Sequence, residues 1–281
     1  MVGCHYIEEH KEMLIEDTEL AERRKSWSEE FNNNNHDIYK IFNHPSTVNG
    51  YGDFYIYQNC GVCNYIKNGL YWEDYMHDIF EKYITSESVV LEAGCHIGTH
   101  SVKLCQLSKE VHLFEPLQTS FKILEKNLEI NNHSFTEKNN YKLYNNGVGE
   151  KEKKTAFAWI PCDNLGGTGL KDNPQGLPGI SESYNTGDWY KEANEQSVEI
   201  VTIDSLNLEK LDFIKIDVEG YEPNVIEGAM ETIKRCRPII TMECFKDHAG
   251  NVMSIEQLIE KYPFFIDLDY EIENIRGPDF L

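Results

Sequence analysis

The chain has 281 residues, enough for one large domain or for one domain with extensions, and its 40% hydrophobic content allows a packed core. The formal net charge of −22 argues against a nucleic-acid partner and against an anionic membrane surface, since both attract basic proteins. With no signal-peptide core, no apolar stretch of about 20 residues and eight scattered cysteines, we expect a cytoplasmic protein with reduced thiols, in a microbe or in an infected host cell.

The first 50 residues are predicted to be a helical extension to a main domain at 51–281. Residues 6–31 are highly charged, with sparse apolar anchors such as Leu14 and Trp27, which is typical of a helix packed on one side. The alternative is that this helix pairs with another chain, which would make the protein a homodimer.

The segment before the first core strand contains one C-x-x-C pattern, Cys60 and Cys63. Residues 54–57 and 64–66 are predicted to form a hairpin, followed by a helix over 71–84. No second C-x-x-C lies at zinc-ribbon spacing, and no helix clearly starts at the pair. Ordinary packed thiols are therefore preferred over half of a zinc site or a redox pair.

A strand, a glycine turn and a helix are predicted around residues 88–107. Residues 89–91 are an apolar run typical of a strand buried on both faces, and Glu92 follows. Gly94 and Gly98 permit a tight turn, and the helix beginning near Thr99 favours negative groups at its start. The G-x-x-x-G spacing is not the G-x-G-x-x-G dinucleotide fingerprint. An acidic residue beside the turn suits a ligand with an ammonium group or hydroxyls.

The next strand, residues 111–115, also ends in an acidic residue, Glu115. In doubly wound sheets, an acidic residue at the end of the second strand binds the ribose hydroxyls of a nucleoside. Taken alone, Glu92 could be a turn residue, and Glu115 could be an acidic residue at a helix start before Pro116. Together, the two residues favour an adenosine-type site.

The remaining pattern alternates helices and strands. Residues 161–195 are rich in proline and glycine, as in a substrate loop or in a disordered surface insertion. The other predicted elements are a helix at 117–130, strands at 141–144, 198–203, 211–217 and 239–243, a helix at 222–235, a last helix capped by Ser254 and Gln257, and closing strands at 264–268 and 270–275. The order predicts a Rossmann-like, doubly wound α/β fold with a mostly parallel, seven-stranded sheet and one antiparallel strand.

Four predicted core strands end in acidic residues, namely Glu92, Glu115, Asp217 and Glu243. Ligands of such sheets bind at the carboxyl ends of the strands. Unpaired carboxylates gathered at one crevice repel each other. Their presence therefore indicates a cationic ligand, a metal ion or proton transfer.

The sequence resembles the FkbM-type methyltransferases, a family of class I S-adenosylmethionine-dependent enzymes. The resemblance runs from about Tyr51 to Leu268 and rests on the motifs NGLYWE, VVLEAGCHIGTHS, VHLFEP, YNNGVGE, FIKIDVEGYEPNVIEGA and RPIITMEC. The first core motif departs from the family pattern, with Glu92 where Asp is usual and Cys95-His96 where Ala-Asn is usual. The resemblance implies methyl transfer from S-adenosyl-L-methionine to an oxygen, often of a sugar or glycan or of another small hydroxylated molecule.

The resemblance also implies roles for individual residues. The cofactor would be bound by Glu73, Glu92, Gly94, His96, Gly98, Thr99, Glu115, Pro116, Asn145, Gly147 and Asp217. Asp217 is the predicted base, supported by Glu243, with His248 as a further candidate that is more often a surface residue. A divalent metal is not predicted, although Asp217 and Glu243 could supply oxygen ligands.

The sequence does not assign a single role to two residues near Asp217. Lys215 could pair with a neighbouring acidic residue or orient the substrate, and Glu219 could hold the turn at Gly220.

Three other functions are weaker. A nicotinamide-dependent oxidoreductase lacks support because the dinucleotide fingerprint is missing. A nucleic-acid methyltransferase conflicts with the net charge. A non-catalytic nucleoside-binding module of the same fold would not require an acidic residue at the end of each core strand.

Overall fold

The computed structural model describes residues 46–57, 60–159, 165–170, 195–244 and 252–281. Most of the 1–50 extension, most of the 161–195 segment and His248 lie outside these residues, so what the sequence indicates for them stays a prediction.

The described elements alternate between strands and helices. In chain order the strands are β1 (Ser46–Val48), β2 (Gly52–Phe54), β3 (Val89–Ala93), β4 (Glu110–Phe114), β5 (Tyr141–Tyr144), β6 (Gly147–Val148), β7 (Lys153–Trp159), β8 (Gly169–Leu170), β9 (Glu195–Val201), β10 (Phe213–Ile216), β11 (Ile239–Glu243), β12 (Asn274–Arg276) and β13 (Asp279–Phe280). The helices are α1 (Gly61–Lys67), α2 (Tyr75–Tyr83), α3 (Thr99–Leu107), α4 (Gln118–Asn131), α5 (Glu222–Glu227), α6 (Met230–Cys236), α7 (Ile255–Lys261) and α8 (Phe264–Asp267). Among these described helices, none has the length and apolar character needed to span a membrane.

The central sheet has seven strands in the order β12-β13-β11-β10-β3-β4-β5. Neighbouring strands from β11 to β5 are parallel, whereas β13 is antiparallel to both of its neighbours. The predicted mostly parallel sheet with one reversed strand is therefore confirmed. Its parallel strands end at one common edge, where a ligand site is expected.

Helices cover both faces of this sheet. Neighbouring residues of a strand therefore pack into two different hydrophobic cores, one on each face. Val90 and Phe213 belong to a core with α2, α3 and α4, while Leu91 and Ile214 belong to a core with α5, α6 and α7. Since both faces of the sheet are buried, the sequences of the central strands β3 and β10 are nearly continuous apolar runs. This is the doubly wound arrangement that the sequence predicts.

The predicted hairpin before the first core strand is wrong in position. Residues 64–66 lie in helix α1, and the hairpin consists of β1 and β2. In α1 the buried residues Cys63 and Ile66 are three positions apart, which is helical spacing. The hairpin is held against α4 by Asn131, which accepts a hydrogen bond from Asp53 N and donates one to Asp53 O.

Two predictions in the last third of the chain are also corrected. The helix expected at 222–235 is two helices separated by residues 228 and 229, and a Cβ atom at Gly228 would lie 1.9 Å from Gly149 O, so only glycine fits at this break. Residues 264–267 form helix α8 instead of a strand, with Pro263 at its start and Phe265 buried, and the closing strands are β12 and β13. The capping box of Ser254 and Gln257 is present as predicted.

A second sheet, with four strands in the order β6-β9-β7-β8, was not predicted as a sheet. Of its strands, β9 corresponds to the predicted strand at 198–203, shifted toward the amino-terminus. β6 and β8 have only two residues each, too few to show an alternating pattern.

Candidate active site

A cleft lies at the carboxyl ends of β3, β4, β10 and β11 and encloses about 1230 Å³ of empty space, part of it open to solvent. Its walls also include residues of α1, of the segment before α2, and of the second sheet. The predicted site residues that line it are Glu73, Glu92, Gly94, His96, Thr99, Glu115, Pro116, Gly147, Asp217 and Glu243. The fold thus brings together residues that are far apart in the sequence.

Gly98 and Asn145 were predicted to bind the cofactor but do not line the cleft. Gly98 precedes α3 with a φ of +87°, and a side chain there would meet Leu124 at 2.6 Å, so its glycine is explained by packing. Asn145 donates hydrogen bonds to the carbonyl oxygens of Glu115 and Pro116, at 2.9 and 3.1 Å. Its neighbour Asn146, which the sequence reasoning missed, lines the cleft instead.

The glycine turn after β3 is fixed by the neighbouring strands. Gly94 has a φ of +88°, and a Cβ atom there would lie 1.8 Å from Asp217 O. Gly94 N and Cys95 N both donate to Phe114 O, at 3.0 and 3.1 Å. Only glycine therefore allows the ends of β3 and β10 to come this close.

Glu115 is buried at the end of β4, and backbone amides already occupy both of its carboxylate oxygens. His96 N donates to Oε2 at 2.8 Å, and Leu117 N donates to Oε1 at 2.9 Å. Burial raises the pKa of Glu115 to about 7, although the two amide hydrogen bonds oppose the shift. Each oxygen keeps a second lone pair, so the side chain can still accept hydrogen bonds from two neighbouring hydroxyls.

Lys215 is a buried cation between two of the acidic strand ends. Its Nζ atom lies 3.0 Å from Asp217 and 3.9 Å from Glu92, to whose strand it is paired in register. Burial lowers the pKa of Lys215, but the surrounding carboxylates outweigh it, Asp217 first, and raise the pKa above its ordinary value. Glu92 also accepts a hydrogen bond from Ser101. Of the two roles left open by the sequence, pairing with acidic neighbours is the one the structure supports.

The acidic cluster (Asp217, Glu219 and Glu243) forms one wall of the cleft, with carboxylate oxygens within 4.8 Å of one another. Burial and the charge of Asp217 raise the pKa values of Glu219 and Glu243 well above the ordinary value. Both groups are therefore biased toward the protonated form. The spacing would also admit a cation, but clustered acidic groups are common without one.

The turn at Gly220, for which the sequence left a role open to Glu219, is held by Glu222. Its Oε1 accepts hydrogen bonds from Val218 N at 3.2 Å and from Gly220 N at 3.0 Å. Glu219 has a φ of +56° and lines the cleft.

Cys60 and Cys63 are buried free thiols at the start of α1, so a helix does begin at the pair. Cys60 Sγ lies 3.8 Å from Nε2 of His96, one of the three positions where the first core motif departs from the family pattern. Contact with Cys63 lowers the pKa of Cys60 well below its ordinary value, while burial raises that of Cys63. The pair is not part of a metal-binding cluster among the described residues.

His100 is a further residue of the cleft that sequence reasoning missed. It lies in the first turn of α3, and its Nε2 atom is 3.2 Å from Oε2 of Glu73. Nothing in the spacing of residues 73 and 100 indicates this contact, because it depends on how the segment before α2 crosses α3.

Strand β8 of the second sheet and the turn before it also line the cleft. Gly166, Thr168, Gly169 and Leu170 line the cleft and belong to the segment predicted as a substrate loop or an insertion. The described part of that segment therefore reaches the site.

A family model and a curated relative match the sequence of this chain. The model of the family described as "Methyltransferase FkbM domain" matches residues 92–272, more than half of the chain. A curated relative, "Methyltransferase 1" of Beauveria bassiana, is 23% identical over 151 residues, which cover 50% of this chain and 58% of that protein.

Two solved structures are similar at low sequence identity. Methyltransferase FkbM from Methylobacillus flagellatus has 14% identity and a TM-score of 0.46, with 78% of this chain and 52% of that chain covered. A putative methyltransferase from Streptococcus mutans in complex with SAH has 12% identity and a TM-score of 0.40, with 73% and 92% covered. The chain thus spans little more than half of the curated relative and of the first of these structures.

Proposed function

The chain belongs to the FkbM methyltransferase domain family, and from this premise we propose that it transfers a methyl group from S-adenosylmethionine to a hydroxyl of a sugar, a glycan or another small hydroxylated molecule. The observation that carries the proposal is the meeting of Glu115, the glycine turn and the acidic cluster in one cleft at the carboxyl ends of the parallel strands. We also propose that residues 51–281 form the catalytic domain.

The cofactor site that we propose lies along β3 and β4. Glu115 would accept hydrogen bonds from the two ribose hydroxyls through the lone pairs that His96 N and Leu117 N leave free. Phe114, Pro116 and Asn146 line the cleft beside Glu115 and would flank the base. The turn at Gly94, with Glu92 behind it, would take the amino-acid part.

When bound, the cofactor supplies a methyl group on a positively charged sulfur, which is already a good electrophile. The protein therefore mainly has to hold the acceptor oxygen in line with that methyl group and to receive the hydroxyl proton.

Asp217 is the base in this proposal. It lies at the end of β10, lines the cleft and forms an ion pair with Lys215 at 3.0 Å. Glu219 and Glu243 are biased toward the protonated form, so they are better suited to donate hydrogen bonds to the acceptor than to take its proton. His248 stays a prediction.

A nicotinamide-dependent oxidoreductase and a non-catalytic nucleoside-binding module are the alternatives. The family match over residues 92–272 disfavours the first. The second predicts ligand binding without turnover.

The proposal is tested by transfer of a radiolabelled methyl group from S-adenosylmethionine to a panel of free sugars, glycans and small polyhydroxylated compounds. We expect transfer to at least one acceptor, and we expect Asp217→Asn to reduce turnover by about 100-fold or more while the cofactor still binds, as for a general base. Glu87→Gln, at an exposed position outside the cleft, is the matched control. Full turnover in Asp217→Asn would refute the role of Asp217, and cofactor binding with no transfer to any acceptor would favour the non-catalytic module.

A further inference from the structure

The hydrogen bonds around Glu73 and His100 determine how many protons their carboxyl and imidazole groups hold together. His100 Nε2 lies 3.2 Å from Oε2 of Glu73, and His100 Nδ1 lies 3.2 Å from the hydroxyl of Tyr71. The Tyr71 hydroxyl also lies 2.5 Å from the carbonyl oxygen of Thr99. The side chains of His100 and Glu73 are only 6% and 14% exposed, so water does not readily replace these partners.

The carbonyl of Thr99 can only accept, so the single hydroxyl proton of Tyr71 is donated to it. The oxygen of Tyr71 must then accept a hydrogen bond from His100, which places a proton on Nδ1. In a neutral imidazole with a proton on Nδ1, the Nε2 atom is an acceptor.

That acceptor faces a second acceptor, the carboxylate of Glu73. Two lone pairs at 3.2 Å repel unless a proton lies between them. Glu73 and His100 therefore hold one proton in addition to the one on Nδ1, and as a pair they carry no net charge.

The surrounding charges decide which partner keeps this proton. Glu73 faces Asp217, Lys215, Glu219, Arg276, Asp279 and a hydrogen bond from Trp72, and His100 faces Lys215, Asp217, His77 and Tyr71. Burial, and then the charge of Asp217, raise the pKa of Glu73 to about 7. Burial, and then Lys215, lower the pKa of His100 well below its ordinary value. The proton therefore stays on Glu73, which donates it to Nε2.

The position of Glu73 and His100 in the cleft indicates which part of the cofactor they contact, an inference that rests on the proposed function. Glu73, Thr99 and His100 line the cleft beside Glu92 and Gly94, at the part proposed to take the amino-acid portion of the cofactor. That portion carries an ammonium group and a carboxylate. The ammonium group has many acidic partners there, whereas the carboxylate needs a wall without negative charge.

We propose that Glu73 and His100 share one proton, and that the resulting uncharged carboxylic acid–imidazole pair accommodates the α-carboxylate of the cofactor's amino-acid portion. Loss of this proton would leave Glu73 negative and would repel that carboxylate.

The affinity for the cofactor therefore falls as the pH rises. Below the pKa of Glu73 in the free protein, about 7, the pair is neutral and the affinity is complete. Above it, binding must first restore the proton, so the affinity falls by up to about tenfold per pH unit.

The test compares two ligands by calorimetry at about pH 6 and about pH 8.5, values on either side of this pKa. S-adenosylhomocysteine carries the amino-acid portion, and 5′-methylthioadenosine lacks it. Both carry the ribose, so titration of Glu115 affects them equally. We expect the affinity of the first relative to the second to fall about tenfold or more over this range.

Glu73→Gln should remove the change in this ratio, since its amide donates to His100 Nε2 at every pH. Glu87→Gln should behave as the unchanged protein. A ratio that stays constant with pH, or rises, would overturn the proposal. If neither ligand binds, the proposed function fails.

The shared proton is tested separately, without a ligand, by ¹⁵N NMR of the imidazole of His100. We expect the proton on Nδ1 and a hydrogen-bonded, unprotonated Nε2. The opposite tautomer would refute the shared proton whatever the ligand results.

Discussion

Replacement of Gly94 by alanine tests the close approach between the ends of β3 and β10 at the cleft. The Cβ atom would lie 1.8 Å from Asp217 O, which is a backbone atom and cannot turn aside. At a φ of +88°, alanine also adopts a left-handed conformation, which costs about 1–2 kcal/mol. Forcing the strands apart adds about 1–3 kcal/mol, as overpacking of a core does.

The separation would also lengthen the hydrogen bond from Asp217 N to Ala93 O, now 3.0 Å, which contributes about 1 kcal/mol. We therefore expect Gly94→Ala to lower the free energy of unfolding by roughly 3–6 kcal/mol. Urea denaturation followed by circular dichroism measures this change.

Gly69→Ala is the matched control, because Gly69 has a φ of +73° but no other atom within 4 Å of the position that a Cβ atom would take. In Gly69→Ala only the backbone strain lowers the free energy of unfolding, by about 1–2 kcal/mol. Equal losses in the two variants would refute the steric contact between β3 and β10.

Three further predictions concern the cofactor site, the acidic cluster and a helix start. Glu115→Ala should weaken S-adenosylhomocysteine binding about tenfold or more, since it removes the acceptor for the ribose hydroxyls and frees His96 N and Leu117 N. Methyl transfer should persist in excess EDTA, because no metal is predicted at Asp217 and Glu243. Ser254→Ala should lower the free energy of unfolding by about 1 kcal/mol, since it removes the side-chain acceptor for Gln257 N at the start of α7.

Each of these predictions has a contradicting result. Unchanged affinity in Glu115→Ala would remove that residue from the site, provided that the variant keeps its circular dichroism spectrum. Activity that disappears with EDTA and returns with Mg²⁺ would assign a cation to the acidic cluster. A Ser254→Ala variant as stable as the original would mean that the capping box contributes nothing.

The central sheet could be predicted because its strands carry their information locally. Residues 89–91 are a short apolar run followed by Glu92, and the mostly apolar run 239–243 ends in Glu243. Parallel strands buried on both faces have such apolar runs. Because ligands of such sheets bind at the carboxyl ends of the strands, the same pattern predicts that Glu92, Glu115, Asp217 and Glu243 lie near one crevice.

The errors occur where tertiary contacts override the local pattern. The helical pattern at 222–235 is interrupted at Gly228, which packs against Gly149 so closely that no side chain fits. Residues 264–268 are mostly apolar, as a short buried strand would be, yet Pro263 begins a helix there. Contacts between distant residues, such as Glu73 with His100 and Cys60 with His96, leave no spacing in the sequence that could reveal them.

The proposed S-adenosylmethionine dependence is tested most directly by calorimetric titration of the protein with S-adenosylhomocysteine and, separately, with NADH. Binding of S-adenosylhomocysteine in the micromolar range together with no binding of NADH is the result predicted from the cleft of Glu115, Gly94 and Asp217. Binding of NADH, or of neither ligand, would contradict it.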